Sequence, residues 1–262
     1  MRALNIAATG MQAQSLNVDV ISNNLANINT TAYQKQRAGF EDLLYQTQRN
    51  PGTQTSDNGT IVPTGIQIGL GVNAGSVYRI QVQGSLQQTN NPTDLAIQGS
   101  GYFRVELPSG DFAYTRDGTF QLSPSGEIVN SNGYVISPGI TVPINGSNLT
   151  VNSIGQVSVT VPGNTTPQIL GQLDLVTFPN PAGLSANGGN LLSETAASGA
   201  PVVGVPGTEG VGTIQQGWLE TSNVDAVTEV TSLITAQRGY ELNSKVISTA
   251  DQMMQTINNA KQ

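Results

Sequence analysis

The chain has no cysteine and no histidine among its 262 residues. Thiol nucleophiles, histidine general bases and the nitrogen and sulfur ligands of structural zinc are all excluded. Disulfides are excluded as staples too. Charge is scarce: ten Lys and Arg with seventeen Asp and Glu amount to 10% of residues and a net charge of −7. The charges are scattered and form no basic patch, so no nucleic acid and no anionic membrane surface is expected as a partner. No apolar run approaches the roughly eighteen residues of a membrane span, so no membrane insertion is expected. From Ala3 onward, Asn5, Thr9, Gln12, Gln14 and Ser15 interrupt the sequence and leave no apolar core for a cleaved signal peptide. Nucleotide signatures fail as well. Gly69-Leu70-Gly71 lacks a third glycine and a following helix, Gln98-Gly99-Ser100-Gly101 runs into a strand, and no Gly-Lys-Ser/Thr occurs. No cofactor is expected.

What is present divides into two patterns. At the N-terminus, Leu4, Ala7, Met11, Val18, Ile21, Leu25 and Ile28 step by three and four, with Gln14 in the vacant place. That is the seam of a coiled-coil helix. Between Ala3 and Gln34 the only charge is Asp19. A solvated helix carries Lys and Glu on its outer face, so a helix polar but nearly uncharged all round belongs inside a packed assembly. The C-terminus mirrors this. Ser222 or Asn223 is placed to cap a helix with Asp225 and Glu229 near its positive end. Val230, Leu233, Ala236, Tyr240, Ile247, Ala250, Met254 and Ile257 then repeat the spacing, interrupted by Gln237 and Asn243, with Gly239 as a mild defect. Over 224–260 such a helix is roughly 55 Å long. Neither stripe buries itself alone, and the economical solution is that the two pack on each other.

The middle is written in strands and turns, as thirty Gly and thirteen Pro suggest. Phe103–Leu107, Phe112–Arg116, Thr119–Leu122, Glu127–Val129 and Tyr134–Ile136 read as a meander. It is broken at Ser109-Gly110, Asp117-Gly118, Ser125-Gly126 and Asn132-Gly133. Further strands are expected at Ile140–Ile144, Leu149–Val151, Gln156–Val161 and Gln172–Phe178. Asp174 is the only charge between Glu127 and Glu194, which suits a neighbour-contacting subunit or a β-solenoid. Gln46–Ser76, rich in Gly, Thr, Gln and Pro, is too long for an ordinary connection. The alternation Ile66, Ile68, Leu70, Val72 makes its later part an ordered strand or extended arm.

The expected fold class is therefore α+β: terminal helices paired as a coiled coil, an extended arm, and a central all-β meander or sandwich-like domain. The boundaries are 1–32 with 224–262 for the helices, 33–76 for the connecting segment and arm, and 77–223 for the β domain. Catalytic candidates are weak. Asp111 and Asp117 lie near one hairpin, where paired carboxylates could act on a glycosidic bond. Yet Asp117 sits in a turn position that accounts for its side chain. Tyr102, Phe103, Phe112, Tyr114 and Phe120 could stack on a sugar, but alternating aromatics in antiparallel sheets usually pair across strands. Trp218 reads as packing ahead of the last helix.

Taken together, the ends and middle resemble the rod and hook axial proteins of the bacterial flagellum, over essentially the whole chain. In that family the first helix ends in Ala-Asn-x-x-Thr-x-Gly-Tyr/Phe-Lys. Here the motif stands as Ala26, Asn27, Thr30, Ala32 and Tyr33, with Lys35 displaced one place by Gln34. Ala32 replaces the family Gly, and a left-handed backbone there would strain an alanine. Gln36–Gly52, Gln88–Val105, Ala113–Phe120, Gln216–Asp225 and Ala236–Ile257 look most like the distal rod branch. The arm after Tyr45 separates that branch from hook proteins.

The resemblance implies a non-enzymatic subunit of the basal-body distal rod, self-assembling helically into a rigid hollow shaft that carries torque and encloses the export channel. It implies contacts with proximal rod and hook proteins, with the surrounding L- and P-rings, and with the flagellar type III export apparatus, and a site spanning the periplasm. The subunit interface would use Leu4, Met11, Val18, Ile21, Leu25, Asn27, Ile28, Thr30 and Tyr33 at one end of the chain. At the other end it would use Leu233, Tyr240, Ile247, Met254 and Ile257. Rigidity would come from an arm containing Asn50, Pro51, Gly52, Pro63, Ile66 and Ile68. A proximal rod or hook subunit is the alternative within the family, and a secreted β-rich polysaccharide-active enzyme the alternative outside it.

Overall fold

The computed structural model describes residues 2–51, 64–162 and 166–260. They divide into two compact units. One takes the residues up to Ala26, Gln36–Tyr78, and those from Asp225 onward; the other takes Asn27–Lys35 and Arg79–Val224.

In the first unit, helices α1 (Arg2–Ala26) and α2 (Ala226–Asn259) pack against each other. They run antiparallel, with Gly10 beside Asn243, Gly239 beside Gln14 and Asn24 beside Glu229. The cap of α2 is Asp225, whose Oδ1 accepts from the Val227 and Thr228 amides; Ser222 and Asn223 are not the cap. α1 stops at Ala26, short of Ile28. The chain turns over the next residues, and Ala32 takes φ 55°, a backbone that no α-helix continues through.

The buried face follows the apolar stripe only in part, at Ala7, Ile21, Ala236 and Ala250. Ala7, Ala13, Val20, Ile21 and Asn24 are buried in α1, and Glu229, Ala236 and Ala250 in α2. Leu4, Met11, Val18, Leu25, Leu233 and Ile247 are only half covered.

The rest of this unit is a ribbon. Gln36–Asp42 pairs with Val72–Arg79, and Tyr45–Arg49 pairs antiparallel with Ile66–Gly69 in the register Gln46↔Ile68. The arm is thus a two-stranded hairpin that starts well before Gln46. Leu43 N to Gly71 O and Leu70 N to Leu44 O continue the ladder between the two pairs.

The second unit is β throughout. A nine-stranded sheet centres on Tyr102–Glu106 and Phe112–Thr115, paired through Phe103↔Thr115 and Val105↔Ala113. A three-stranded sheet of Ser147–Val151, Gln156–Thr160 and Gln168–Gln172 supplies the other side of the core. Leu95, Ile97, Phe103, Phe120, Val157, Leu175 and Ile214 are among its buried members. Two antiparallel pairs of strands far apart in sequence, Leu95–Gln98 with Thr213–Gln216 and Leu86–Gln88 with Trp218–Glu220, complete the unit.

The five strands lie within two residues of expectation, and Gly110, Gly126 and Gly133 all take the positive φ their turns require. They do not run as a simple meander: Tyr102–Glu106 pairs with both Phe112–Thr115 and Val135–Ile136, and Gln121–Leu122 pairs with Ile128–Val129 instead of with Phe112–Thr115. Two strands differ. Ile140–Ile144 is not a strand: only Thr141 bridges, to Glu127, because Pro143 has no N–H to extend the ladder. Gln172–Phe178 is split, because the chain leaves the three-stranded sheet at Gln172 and joins the nine-stranded one at Leu175.

Candidate assembly surface

The helix pair is held by polar groups as much as by apolar ones. A Cβ at Gly10 would lie 2.8 Å from Asn243 Nδ2, and one at Gly239 would lie 3.2 Å from Gln14 Cδ. Gln14 and Asn243, two of the three amides that interrupt the stripes, therefore each sit over the glycine of the other helix, while Gln237 is exposed. Asn24, 1% exposed, is the third such point. Its Oδ1 accepts from Gln36 N at 2.8 Å, and its Nδ2 donates to Gln36 O and to Glu229 Oε2. The side chain thus imitates a strand partner for the first ribbon residue, and the buried Asn has its amide satisfied on both sides. Asn24 lies outside the apolar spacing that reveals α1, and the sequence alone gives no signal of its remote partners.

The ribbon root is fixed to α1 by Thr9. Its Oγ1 donates to Ile6 O at 2.8 Å and accepts from Val72 N at 3.4 Å. Gly71, at φ 126°, comes so close that a Cβ would fall 2.2 Å from that oxygen. Farther out, every residue of Tyr45–Arg49 is exposed, Ile66 is exposed and Ile68 is half-buried. Gly65 crosses the opposite strand where a Cβ would lie 2.5 Å from Arg49 O. Asn50 and Pro51 follow that strand, while Gly52 and Pro63 lie outside the described residues.

The proposed interface residues are not all in one situation. Ile21 is covered inside the subunit, whereas Tyr240, Met254 and Ile257 are exposed. Asn27, Ile28, Thr30 and Tyr33 are half-buried in the turn segment of the second unit rather than on a helix. There Thr30 Oγ1 donates to Asn27 Oδ1 at 3.0 Å, and Tyr33 N donates to Thr30 O. Ala250 is buried, and every described residue of α2 beyond it is exposed. Val230, Ile234, Leu242, Val246 and Met253 add to this uncovered apolar surface. No helix among the described residues is long and apolar enough to cross a membrane.

The alternative chemistry finds little support. Asp117 accepts from Thr119 N, Thr119 Oγ1 and Asn190 Nδ2, and Asp111 accepts from Ser109 Oγ. Phe103 packs edge-on against Phe120 at 5.1 Å, and Tyr114 against Phe178 at 4.8 Å, all four buried. A cleft of about 500 Å³ in the second unit has Tyr102 and Arg116 among its lining residues. There the guanidinium is already bound to Glu220 and to the carbonyls of Gly99 and Gly101. Burial raises the Tyr102 phenol above its ordinary range, partly offset by the positive Arg116.

Three family models match the chain: "Flagella basal body rod protein" at residues 4–34, "Flagellar hook protein FlgE/F/G D1 domain" at 96–159, and "Flagellar basal body rod FlgEFG protein C-terminal" at 215–260. The flagellar basal-body rod protein FlgG of Caulobacter vibrioides is 56% identical over 255 residues, covering 97% of each chain. This chain belongs to the FlgG family. The FlgG of Borreliella burgdorferi is 48% identical over 263 residues, covering 100% of this chain and 99% of its own. That of Bacillus subtilis is 38% identical over 267 residues with the same coverage. As a FlgG-family member the protein is a structural subunit of the distal rod in the bacterial flagellar basal body, and self-assembly into the rod comes with that membership.

Proposed function

We propose that the subunit forms, without enzymatic activity, a helical, hollow and stiff shaft that carries motor torque to the hook and encloses the export channel. The terminal helices, paired as a coiled coil, build its inner tube. Tyr240, Met254 and Ile257 meet neighbouring copies, as do the half-covered Leu4, Met11, Val18, Leu25, Leu233 and Ile247. Asn27, Ile28, Thr30 and Tyr33 contribute where the chain leaves the tube. The ribbon around Asn50, Pro51, Ile66 and Ile68 wedges between copies and stiffens them. Proximal rod and hook subunits adjoin the two ends, the L- and P-rings surround the shaft, and the type III apparatus delivers the chains.

One observation carries this reading: α2 beyond Ala250 is exposed on all sides yet bears Met253, Met254 and Ile257. Apolar surface of that kind is stabilised by association, and a head-to-tail contact that does not close on itself gives an open filament. The test is electron microscopy of assemblies grown from the purified chain and from a Met254→Asp, Ile257→Asp variant. Tubes from the first and none from the second are expected. Tubes of equal number and length from the variant would remove the end of α2 from the interface.

A further inference from the structure

The chain passes between its two units four times, and the segments next to those passages lie in the β unit as three legs: 27–35, 79–85 and 218–224. Short legs with little apolar content have no core of their own. Here they are cross-tied by two side chains. Glu220, 2% exposed, accepts Gly84 N on Oε1 at 3.0 Å, and Arg116 Nε and a terminal guanidinium nitrogen on Oε2 at 2.9 and 2.8 Å. Its backbone carbonyl accepts Ala32 N at 2.8 Å. One residue therefore joins all three legs to the sheet unit, because Arg116 also holds the carbonyls of Gly99 and Gly101.

Asn223 ties the same legs a second time. Its Oδ1 accepts Lys35 N at 2.7 Å, and its Nδ2 donates to Ile80 O at 3.1 Å and Val82 O at 2.8 Å. Its backbone amide donates to Tyr33 O. Every hydrogen-bonding atom of the carboxamide except one lone pair is spent on the backbone of the other two legs. Gly84 shows how close the legs run: a Cβ there would lie 1.9 Å from Thr221 O.

We propose that Glu220 and Asn223 are positioning residues that lock the three legs into one rigid root before any neighbouring copy is present. A subunit then enters the shaft with its legs already set, while its exposed helix faces are ordered by contact. A buried ion pair suits this task, since it fixes geometry even where its net contribution to stability is small. The use in assembly rests on the shaft-subunit reading; the lock itself does not.

Amide hydrogen exchange on the free, full-length chain tests the lock. The Lys35 and Gly84 amides are expected to be protected in the wild type. In Asn223→Ala, Lys35 should exchange about tenfold faster or more, with Val105 and Ala113 in the central sheet unchanged. If that variant loses the sheet as well, Glu220→Gln, which keeps the volume, decides the matter through acceleration at Gly84. Unprotected Lys35 and Gly84 in the wild type, or no selective change in either variant, overturns the proposal. Polymerisation of the same proteins separates the two claims. Asn223→Ala that loses Lys35 protection yet assembles as well as wild type overturns the role in assembly. A wild-type chain that forms no tubes overturns the shaft reading and leaves the exchange result standing.

Discussion

The carboxamide of Asn243 rests over Gly10, at the one kind of residue whose missing Cβ leaves it room. Gln14 and Gly239 repeat the arrangement with the helices exchanged. In an isolated helix, Ala in place of Gly gains about 1 kcal/mol. Gly10→Ala in this chain should lose that gain, because the added carbon meets Nδ2 at 2.8 Å. Gly10→Ala with Asn243→Ala should recover it, giving a coupling of about 1 kcal/mol in a double-mutant cycle read from helix melting by circular dichroism. Additive effects would mean the two residues do not share a contact.

Ala32 holds a left-handed backbone, φ 55°, and its amide is bound to Glu220 O at 2.8 Å. The motif position is therefore kept in the conformation that suits glycine, at a cost to alanine of about 1–2 kcal/mol. Ala32→Gly should stabilise the β unit by roughly 0.5–1 kcal/mol, since glycine's greater unfolded-state entropy offsets part of the relief. Ala32→Val should destabilise it by more. Urea midpoints followed by Trp218 fluorescence measure both; a lower midpoint for the glycine variant contradicts the argument.

Removing residues 50–65 takes away the stretch of sequence between Tyr45–Arg49 and Ile66–Gly69, two strands that bury almost nothing within the subunit. The urea midpoint of the β unit should stay within error of wild type, while tubes grown from the deleted chain should bend. Straight, stiff tubes from the deletion would separate stiffness from the ribbon.

Burial pushes the phenols of Tyr102 and Tyr114 above the ordinary value of 10.0. The folded state thus holds these protons more tightly than the unfolded state. That stabilising contribution is complete below pH 10.0 and is lost as pH rises through the raised folded values. Thermal melts of the full chain should fall steeply above that pH, and Tyr102→Phe should shed part of the fall. Identical alkaline profiles for the two proteins would assign the loss elsewhere.

Much of this architecture is legible in the residues. Three- and four-residue spacing gives both helices, and the Ser-Gly and Asn-Gly pairs give turns at Gly110, Gly126 and Gly133 that carry the φ they need. What escapes is the part that depends on a distant partner. Gln14, Asn243 and Gly239 look like faults in a stripe until the opposite helix is present to show that each fills the other's gap. Asn24 and Asn223 look like local breakers or caps, yet their carboxamides serve backbone groups of remote segments. Strands such as Leu86–Gln88 and Trp218–Glu220 are three residues long, too short to carry alternation. Their place is set by partners remote in sequence, the opposite strand and the groups that bind Glu220.

Thr9 is a helix residue and Gly71 a ribbon residue, yet they share one boundary. A side chain added at Gly71 would push on α1, and a bulkier residue at position 9 would lift the ribbon root. In genetic terms the two belong to one complementation of shape. A motility defect caused by Gly71→Ala should be relieved in part, the strain of alanine at φ 126° remaining, by second-site changes that shrink position 9, such as Thr9→Gly, and not by changes at the ribbon's far end. Selection for swimming revertants would find those pairs without any prior choice of residue.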